Sequence, residues 1–340
     1  MATIAALLLL AACSIESQLL HVERIDGETG APGAWDSPPA EDSPADEARD
    51  SSDASTGDTE GDTAADVPAA EPADEPESTP SACRSFTPGV VVGQLPPELE
   101  EVSGLVASRT HPGVLWALED SGNEAELYAL DIDGALLATI RLPVPNVDWE
   151  DLAIAPCGEV DCLYVADVGD NNLVRDDVAL YRLTEPPIAD GAASVETIRV
   201  RYAAGPHNVE AVVVDASGVA TLFSKRSDGT SEVLRERAGS FHSVATLSIG
   251  ERGEAEWYGR LTGASLWPDE KTVLLRSYGH AWRYELDDQG LSGIATAQRS
   301  ELDVIVQDQV EAVAWDPAIG GWWQTTEGVG AGLVFSGCAA

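Results

Sequence analysis

Basic residues are scarce in this chain. Lys and Arg number 19 against 59 Asp and Glu, a formal net charge of −40. No Lys/Arg stripe offsets the surplus, which argues against nucleic acid and anionic membrane surfaces as partners. Long apolar runs are missing too: the run at 4–12 is too short to span a bilayer. From residue 86 onward there is no long 3.6-residue periodicity, only short apolar runs broken by Gly, Pro, Asp and Asn, the pattern of an all-β domain. Familiar catalytic signatures are absent as well. The five histidines, His21, His111, His207, His242 and His280, show no H-E-x-x-H spacing. There is no G-x-S-x-G elbow, no phosphate-cradling glycine loop and no dinucleotide fingerprint. The segment 167–171 lacks the 12-residue ligand pattern of an EF-hand.

What is present begins with an export signal. The run at 4–12 fits an h-region, and Leu10-Ala11-Ala12-Cys13 resembles the lipobox of bacterial lipoproteins. The resemblance implies cleavage after residue 12 and lipid attachment to Cys13, with Ser14 implying the outer membrane of a Gram-negative cell. No Lys or Arg precedes the run, a departure from the usual signal. Residues 13–82 read as an acidic, Ala/Pro/Ser/Asp-rich tether. From Asp36 to Glu77 there are 15 acidic residues and one basic, Arg49. Such a segment cannot bury enough surface to offset chain entropy, and about 60 residues of flexible coil span roughly 40–50 Å. The folded domain is assigned to 83–340, which carries 40 acidic and 17 basic residues.

Within that domain three strings echo one another: Trp149-Glu150-Asp151, Val209-Glu210-Ala211 and Val310-Glu311-Ala312. Weaker echoes occur at Val102-Ser103-Gly104 and Thr262-Gly263-Ala264. Anchored on Ser103, Glu150, Glu210, Gly263 and Glu311, the spacings are 47, 60, 53 and 48 residues, the period of a propeller blade. Each string opens a series of runs: 102–108, 113–120, 126–132 and 135–142; 149–155, 162–168, 178–183 and 195–202; 209–215, 219–225, 231–237 and 242–249; 262–268, 271–278, 280–286 and 294–302. The last series, 310–316, 321–327 and 330–336, is one strand short, and 89–95 supplies it. The expectation is a five-bladed β-propeller closed by an N-terminal strand. A six-bladed ring, with strands in 251–260, is the alternative.

Closure selects among the three pairings open to four cysteines. Antiparallel pairing of 89–95 with 330–336 brings Cys83 and Cys338 to one edge, and Cys157 and Cys162 flank a hairpin turn. Both pairs are expected to be disulfides in an exported chain.

The chain resembles a group of exported bacterial propeller proteins. The resemblance covers about 86–337 and rests on Ser103-Gly104-Leu105, Asp120-Ser121-Gly122, the inner-strand motif at 148–153, the Asp-Val-Gly-Asp-Asn loop at 167–171, and Tyr181-Arg182 with Glu185-Pro186. More distantly it is similar to SdiA-regulated, NHL-repeat, gluconolactonase-type and phytase-like propellers, which implies either a binder or a calcium-dependent hydrolase.

First strands line a propeller's channel, so Ser103, Glu150, Glu210 and Glu311 should converge. Three such carboxylates raise one another's pKa or recruit a cation, and Glu150, Glu210 and Glu311 are the candidate Ca2+ ligands. Asp120, Asp167, Asp170, Asn171, Lys225, Arg276 and Glu327 should gather near one mouth. The competing reading pairs the glutamates with Lys225 or Arg276. Trp149 and Trp315 are placed near the channel, where they would stack on a sugar or simply pack. Trp116, Trp257, Trp267, Trp282, Trp322 and Trp323 read as blade packing. The function expected is a monomeric cell-envelope module that binds a protein or saccharide ligand. The alternative is a Ca2+-dependent lactonase, esterase or phytase-like hydrolase with His207 as base.

Overall fold

The computed structural model describes residues 81–250, 258–305, 307 and 309–339. Cys13, His21, Trp257, the signal and nearly all of the tether lie outside the described residues. A first strand, β1 (Val90–Gln94), precedes the blades. Blade 1 contains β2 (Val102–Ala107), β3 (Val114–Glu119), β4 (Glu126–Asp131) and β5 (Leu136–Arg141). Blade 2 contains β6 (Trp149–Pro156), β7 (Asp161–Asp167) and β8 (Ala179–Thr184). The chain then leaves blade 2 to form β9 (Gly191–Ala192) beside β5, and returns as the outer strand β10 (Glu196–Arg199). Blade 3 is β11 (Val209–Val214), β12 (Ala220–Ser224), β13 (Thr230–Arg237) and β14 (Ser240–Ser248). Blade 4 is β15 (Leu261–Leu266), β16 (Thr272–Ser277), β17 (Ala281–Glu285) and β18 (Gln298–Leu302). Blade 5 is β19 (Val310–Asp316), β20 (Gly321–Thr326) and β21 (Gly332–Gly337), completed by β1 in the order β1-β21-β20-β19.

The ring is five-bladed among the described residues, and its packing says so independently of its hydrogen bonds. Five apolar clusters each join two neighbouring blades. The last of them closes the circle: Leu105, Leu115 and Leu130 of blade 1 pack with Ala312, Trp323 and Leu333 of blade 5. Each inner strand is therefore covered on both faces. Val212 and Val214 pack toward blade 2, while Ala211 and Val213 pack toward blade 4. That is why these strands read as continuous apolar runs rather than alternating ones.

Closure occurs as expected. Strand β1 pairs antiparallel with β21, Val90 opposite Phe335. Disulfides join Cys83 to Cys338 and Cys157 to Cys162. Two local expectations differ. The outer strand of blade 4 was expected over 294–302, but Gly290–Thr296 is a 3-10 helix and the strand begins at Gln298. Leu291 and Ile294, three apart, share one face of that helix and are buried in the blade 3/blade 4 cluster, which outweighs local strand propensity. Blade 1 gains a fifth strand, parallel β9, which covers its outer edge and is tied there by Thr139 N–H donating to Asp190 Oδ1 at 3.0 Å.

The motif at 181–186 clamps blade 2 to blade 1. Glu185 accepts hydrogen bonds from Trp116 Nε1–H at 2.9 Å, from Thr110 N–H at 3.2 Å and Oγ1–H at 2.8 Å, and from the Ser108 hydroxyl. Replacing Glu185 by Ala leaves the buried Trp116 and Ser108 donors without an acceptor. It should cost on the order of 3 kcal/mol in urea unfolding, whereas surface substitutions such as Glu98→Ala should stay within about 0.5 kcal/mol.

Candidate metal centre at the channel mouth

All five inner strands carry a β-bulge at the same place, where the first strand begins opposite the end of the second. The extra residues are Ser103, Glu150, Glu210, Thr262 and Glu311. A bulge re-aims its side chain and recurs beside functional sites. The fourth anchor is thus Thr262, one residue before the Gly263 expected from the sequence echo. The pairing Ser103-Gly104 with Thr262-Gly263 is the correct alignment, because both glycines serve a close approach of neighbouring inner strands. A Cβ on Gly104 would lie 2.8 Å from Leu152 N, and one on Gly263 would lie 2.7 Å from Glu311 O.

The two hydroxyl anchors close seams. Ser103 Oγ–H donates to Trp149 O at 3.3 Å, and Thr262 Oγ1–H donates to Val310 O at 2.8 Å, in each case bonding the next blade. The three carboxylate anchors gather at the mouth. Glu210 accepts from Lys225 Nζ at 2.8 Å and from Asn208 Nδ2 at 2.7 Å. Glu311 accepts from Tyr278 Oη at 2.6 Å, and Lys225 lies 5.2 Å from the centre of the Tyr278 ring. Glu150 is buried against Glu210. Its carboxyl is pushed well above the usual range by burial and then by the Glu210 and Asp120 carboxylates.

The metal-like constellation is Asp120, Asp148 and Glu150, whose ligand oxygens lie within 4.8 Å of one another. Asp120 is pushed up to about 6 by burial and by Asp148 and Glu210, while backbone Ser121 N–H opposes the shift. Asp148 is raised for the same first cause. Gly169 makes room for the pair: a Cβ there would sit 2.1 Å from Glu150 Oε1 and 2.5 Å from Asp148 Oδ2. Glu327 and Glu311 rise to about 7 and about 8, chiefly through burial.

The other named residues have partners that fix the frame. Asp167 receives Arg175 Nη2 at 2.7 Å, Asp148 N–H at 3.1 Å and Tyr181 Oη at 3.1 Å. Asp170 receives the N–H groups of Val174 and Arg175 and donates its own to Asn208. Asn171 accepts from Asn208 Nδ2 at 3.2 Å. Glu327 accepts from Gln309 Nε2 at 2.6 Å. Arg276 is fully buried, donates to Ser277 O at 2.6 Å, and leaves Nε and Nη2 without a hydrogen-bond partner. His207 is engaged at both nitrogens, by Gly205 O at 2.7 Å and Glu232 Oε2 at 3.2 Å. Trp149 packs in the blade 1/blade 2 cluster, and Trp315 packs against Phe86 and Trp267.

Two residues absent from the expected set matter most. Asp148 supplies the third metal-like carboxylate. Asp151 ties three inner strands together: it accepts N–H bonds from Leu152 at 2.8 Å, from Val212 on blade 3 at 2.9 Å and from Ala264 on blade 4 at 3.4 Å. Its donors Leu152, Val212 and Ala264 also line, with Val106 and Leu266, a cavity of about 10 Å³, room for one water at most. The signal for Asp151 was available, since the other repeats place Gly104, Ala211, Gly263 and Ala312 there. A charged residue in that row must find donors.

This is a five-bladed β-propeller with a carboxylate-rich channel mouth. No protein family and no curated protein matches the chain. Among solved structures it is similar to the PQQ-bound aldose sugar dehydrogenase of Streptomyces coelicolor, at 13% identity over 75% of this chain and 99% of that one, TM-score 0.45. It is similar to Myxococcus xanthus glutaminyl cyclase at 13% identity over 76% and 100%, TM-score 0.44. The soluble aldose sugar dehydrogenase of Escherichia coli gives 11% over 74% and 99%, TM-score 0.45. At these values the likeness is distant and speaks to fold alone.

Proposed function

We propose that this chain is an exported, lipid-anchored propeller whose channel mouth binds one Ca2+, and that the head acts as a non-catalytic binding module at the cell envelope. The observation that carries the cation is the set Asp120, Asp148 and Glu150. Their oxygens lie within 4.8 Å of one another, inside the roughly 5 Å that two ligands at 2.3–2.6 Å from one Ca2+ can span. Oxygen-only donors favour Ca2+ or Mg2+ over softer metals. The bases of the region are committed elsewhere, Lys225 to Glu210 and Arg175 to Asp167.

Calorimetric titration of EDTA-treated protein should show one Ca2+ per chain. At a hundredfold excess over Kd the gain is about 2.7 kcal/mol, a rise in Tm of roughly 5–10 °C for a domain of this size. Glu150→Gln should weaken the binding at least tenfold. Absence of both heat and thermal shift in the parent protein overturns the cation reading. The anchor is tested separately. Labelled palmitate should enter the chain in a bacterial host and fail to enter Cys13→Ser, and equal labelling of the two would refute lipidation at this residue.

A further inference from the structure

One outer edge of the propeller is neither covered nor charged. In blade 1 the outer strand β5 is covered by β9. Blade 2 ends on β10, where Glu196 and Arg199 face solvent, and blade 4 on β18, where Arg299 and Glu301 do. On β14 of blade 3 the exposed positions are His242, Ser243, Thr246 and Ser248. Strand β1 of blade 5 differs. Among the described residues it pairs with β21 alone, and Val90 and Val91 are each 55% exposed. Soluble proteins usually blunt an edge with charge or cover, because a free row of N–H and C=O groups pairs with another strand. This edge also belongs to a wider apolar surface. Gly93 of β1 meets the β4–β5 turn so closely that a Cβ there would lie 1.9 Å from Asp133 O, and one on Gly134 would lie 2.5 Å from Gln94 O. The contact sets Val90, Val91 and Val92 beside Ile132, Leu136 and Leu137, all of them 38–55% exposed. Together they present roughly 400 Å² of aliphatic surface, the size at which an exposed patch marks an interaction site. Charge is thin here as well. The domain 83–340 has 40 acidic and 17 basic residues, yet 85–97 has none of either, and between 132 and 140 only Asp133 is charged.

We propose that the occupant of this surface is a second copy of the chain, docked by antiparallel pairing of β1 with its counterpart about a two-fold axis near Val91. An antiparallel edge pair is self-complementary, so one surface serves both partners and the assembly closes at two. Two such patches, with the backbone between them, bury about 1,000 Å², the lower bound of a specific interface. Two heads this acidic repel one another over most of their surface, and this is where they can meet without opposing carboxylates. The pairing departs from the monomer expected from the sequence. It involves none of Asp120, Asp148 and Glu150, so it goes beyond the cation reading and either can fail alone.

The first experiment is sedimentation equilibrium of the full chain in excess non-ionic detergent, run in EDTA so that the outcome does not turn on the cation. It should give a dimer at about 100 µM chain that dissociates on dilution. Val91→Lys puts a charge on the edge and Leu137→Lys puts one in the patch. Each should weaken the dimer at least tenfold, with melting curves to show that both variants fold. Val174→Lys, at an apolar position 75% exposed on the β7–β8 loop, should leave the dimer unchanged. The second experiment is done in cells. Val91→Cys should give a disulfide-linked dimer on non-reducing gels, and Val174→Cys should not. A monomer at every concentration, or a dimer that both lysine variants leave intact, overturns the proposal. So does a Val91→Cys chain that links only to chains of other masses, or to none, which assigns the patch to another protein or to lipid.

Discussion

Acidifying the cation-free protein from pH 8 to pH 5 should raise its unfolding free energy, by on the order of 3 kcal/mol. Most proteins do not gain stability across this interval. The cause is the mouth cluster. Asp120, Glu327 and Glu311 sit at about 6, about 7 and about 8 in the folded chain, each pushed up first by burial. In the unfolded chain they return to the ordinary carboxylate range near 4. Between those values the folded state binds more protons, so stability falls as pH rises from about 4 through 8 and is recovered on acidification. Saturating Ca2+ favours the ionised form of Asp120, the one proposed ligand among the three, and should remove that part of the slope while Glu311 and Glu327 keep theirs. Urea unfolding in EDTA at four pH values, repeated in Ca2+, reads both effects. A cation-free stability that falls steadily from pH 8 to pH 5 would sink the account of a strained carboxylate cluster.

Removing the Cys83–Cys338 bond should be the most destabilising of the covalent changes. The bond spans 255 residues, and the chain-entropy relation gives about 5 kcal/mol for a loop of that length. The same relation gives about 2 kcal/mol for Cys157–Cys162, separated by 5 residues. The double variant Cys83→Ser/Cys338→Ser should therefore lose roughly 10–20 °C in Tm, and Cys157→Ser/Cys162→Ser less than half of that. The seam between first and last blades should loosen selectively, since without the covalent bond β1 is held by its pairing with β21, by the backbone bonds of 85–87 to 337–339 and by the packing of Leu95. Hydrogen exchange at Val90 and Val334 measures this directly. Equal losses in the two double variants would mean that the long bond does not hold the ring.

Blade count and closure were legible in the sequence because two-sided burial writes the inner strands as apolar strings at a blade-length period. The cysteine pairing followed from the same count. The bulge was not legible, so the weak fourth echo slipped by one residue, from Thr262 to Gly263; hydroxyl and glycine are poor anchors for alignment. Asp148 was hidden because it precedes its strand, and only the fold brings it beside Asp120. Asp151 lay in plain view within a quoted motif. Its role depends on donors from Val212 and Ala264, which are 61 and 113 residues away. In blade 4, local propensity suggested strand where burial of Leu291 and Ile294 favours a 3-10 turn.

Strand β1 also sets a waiting time. It leaves the ribosome first, yet Val90 meets Phe335 only 245 residues later, about 12–50 s at ordinary synthesis rates. During that interval an unpaired strand with three consecutive valines is a template for association with other chains. The segment 85–97 contains no charge to discourage this, but Pro88, Pro96 and Pro97 bracket the valines. Prolines so placed act as gatekeepers, limiting how far a foreign strand can extend along the nascent edge.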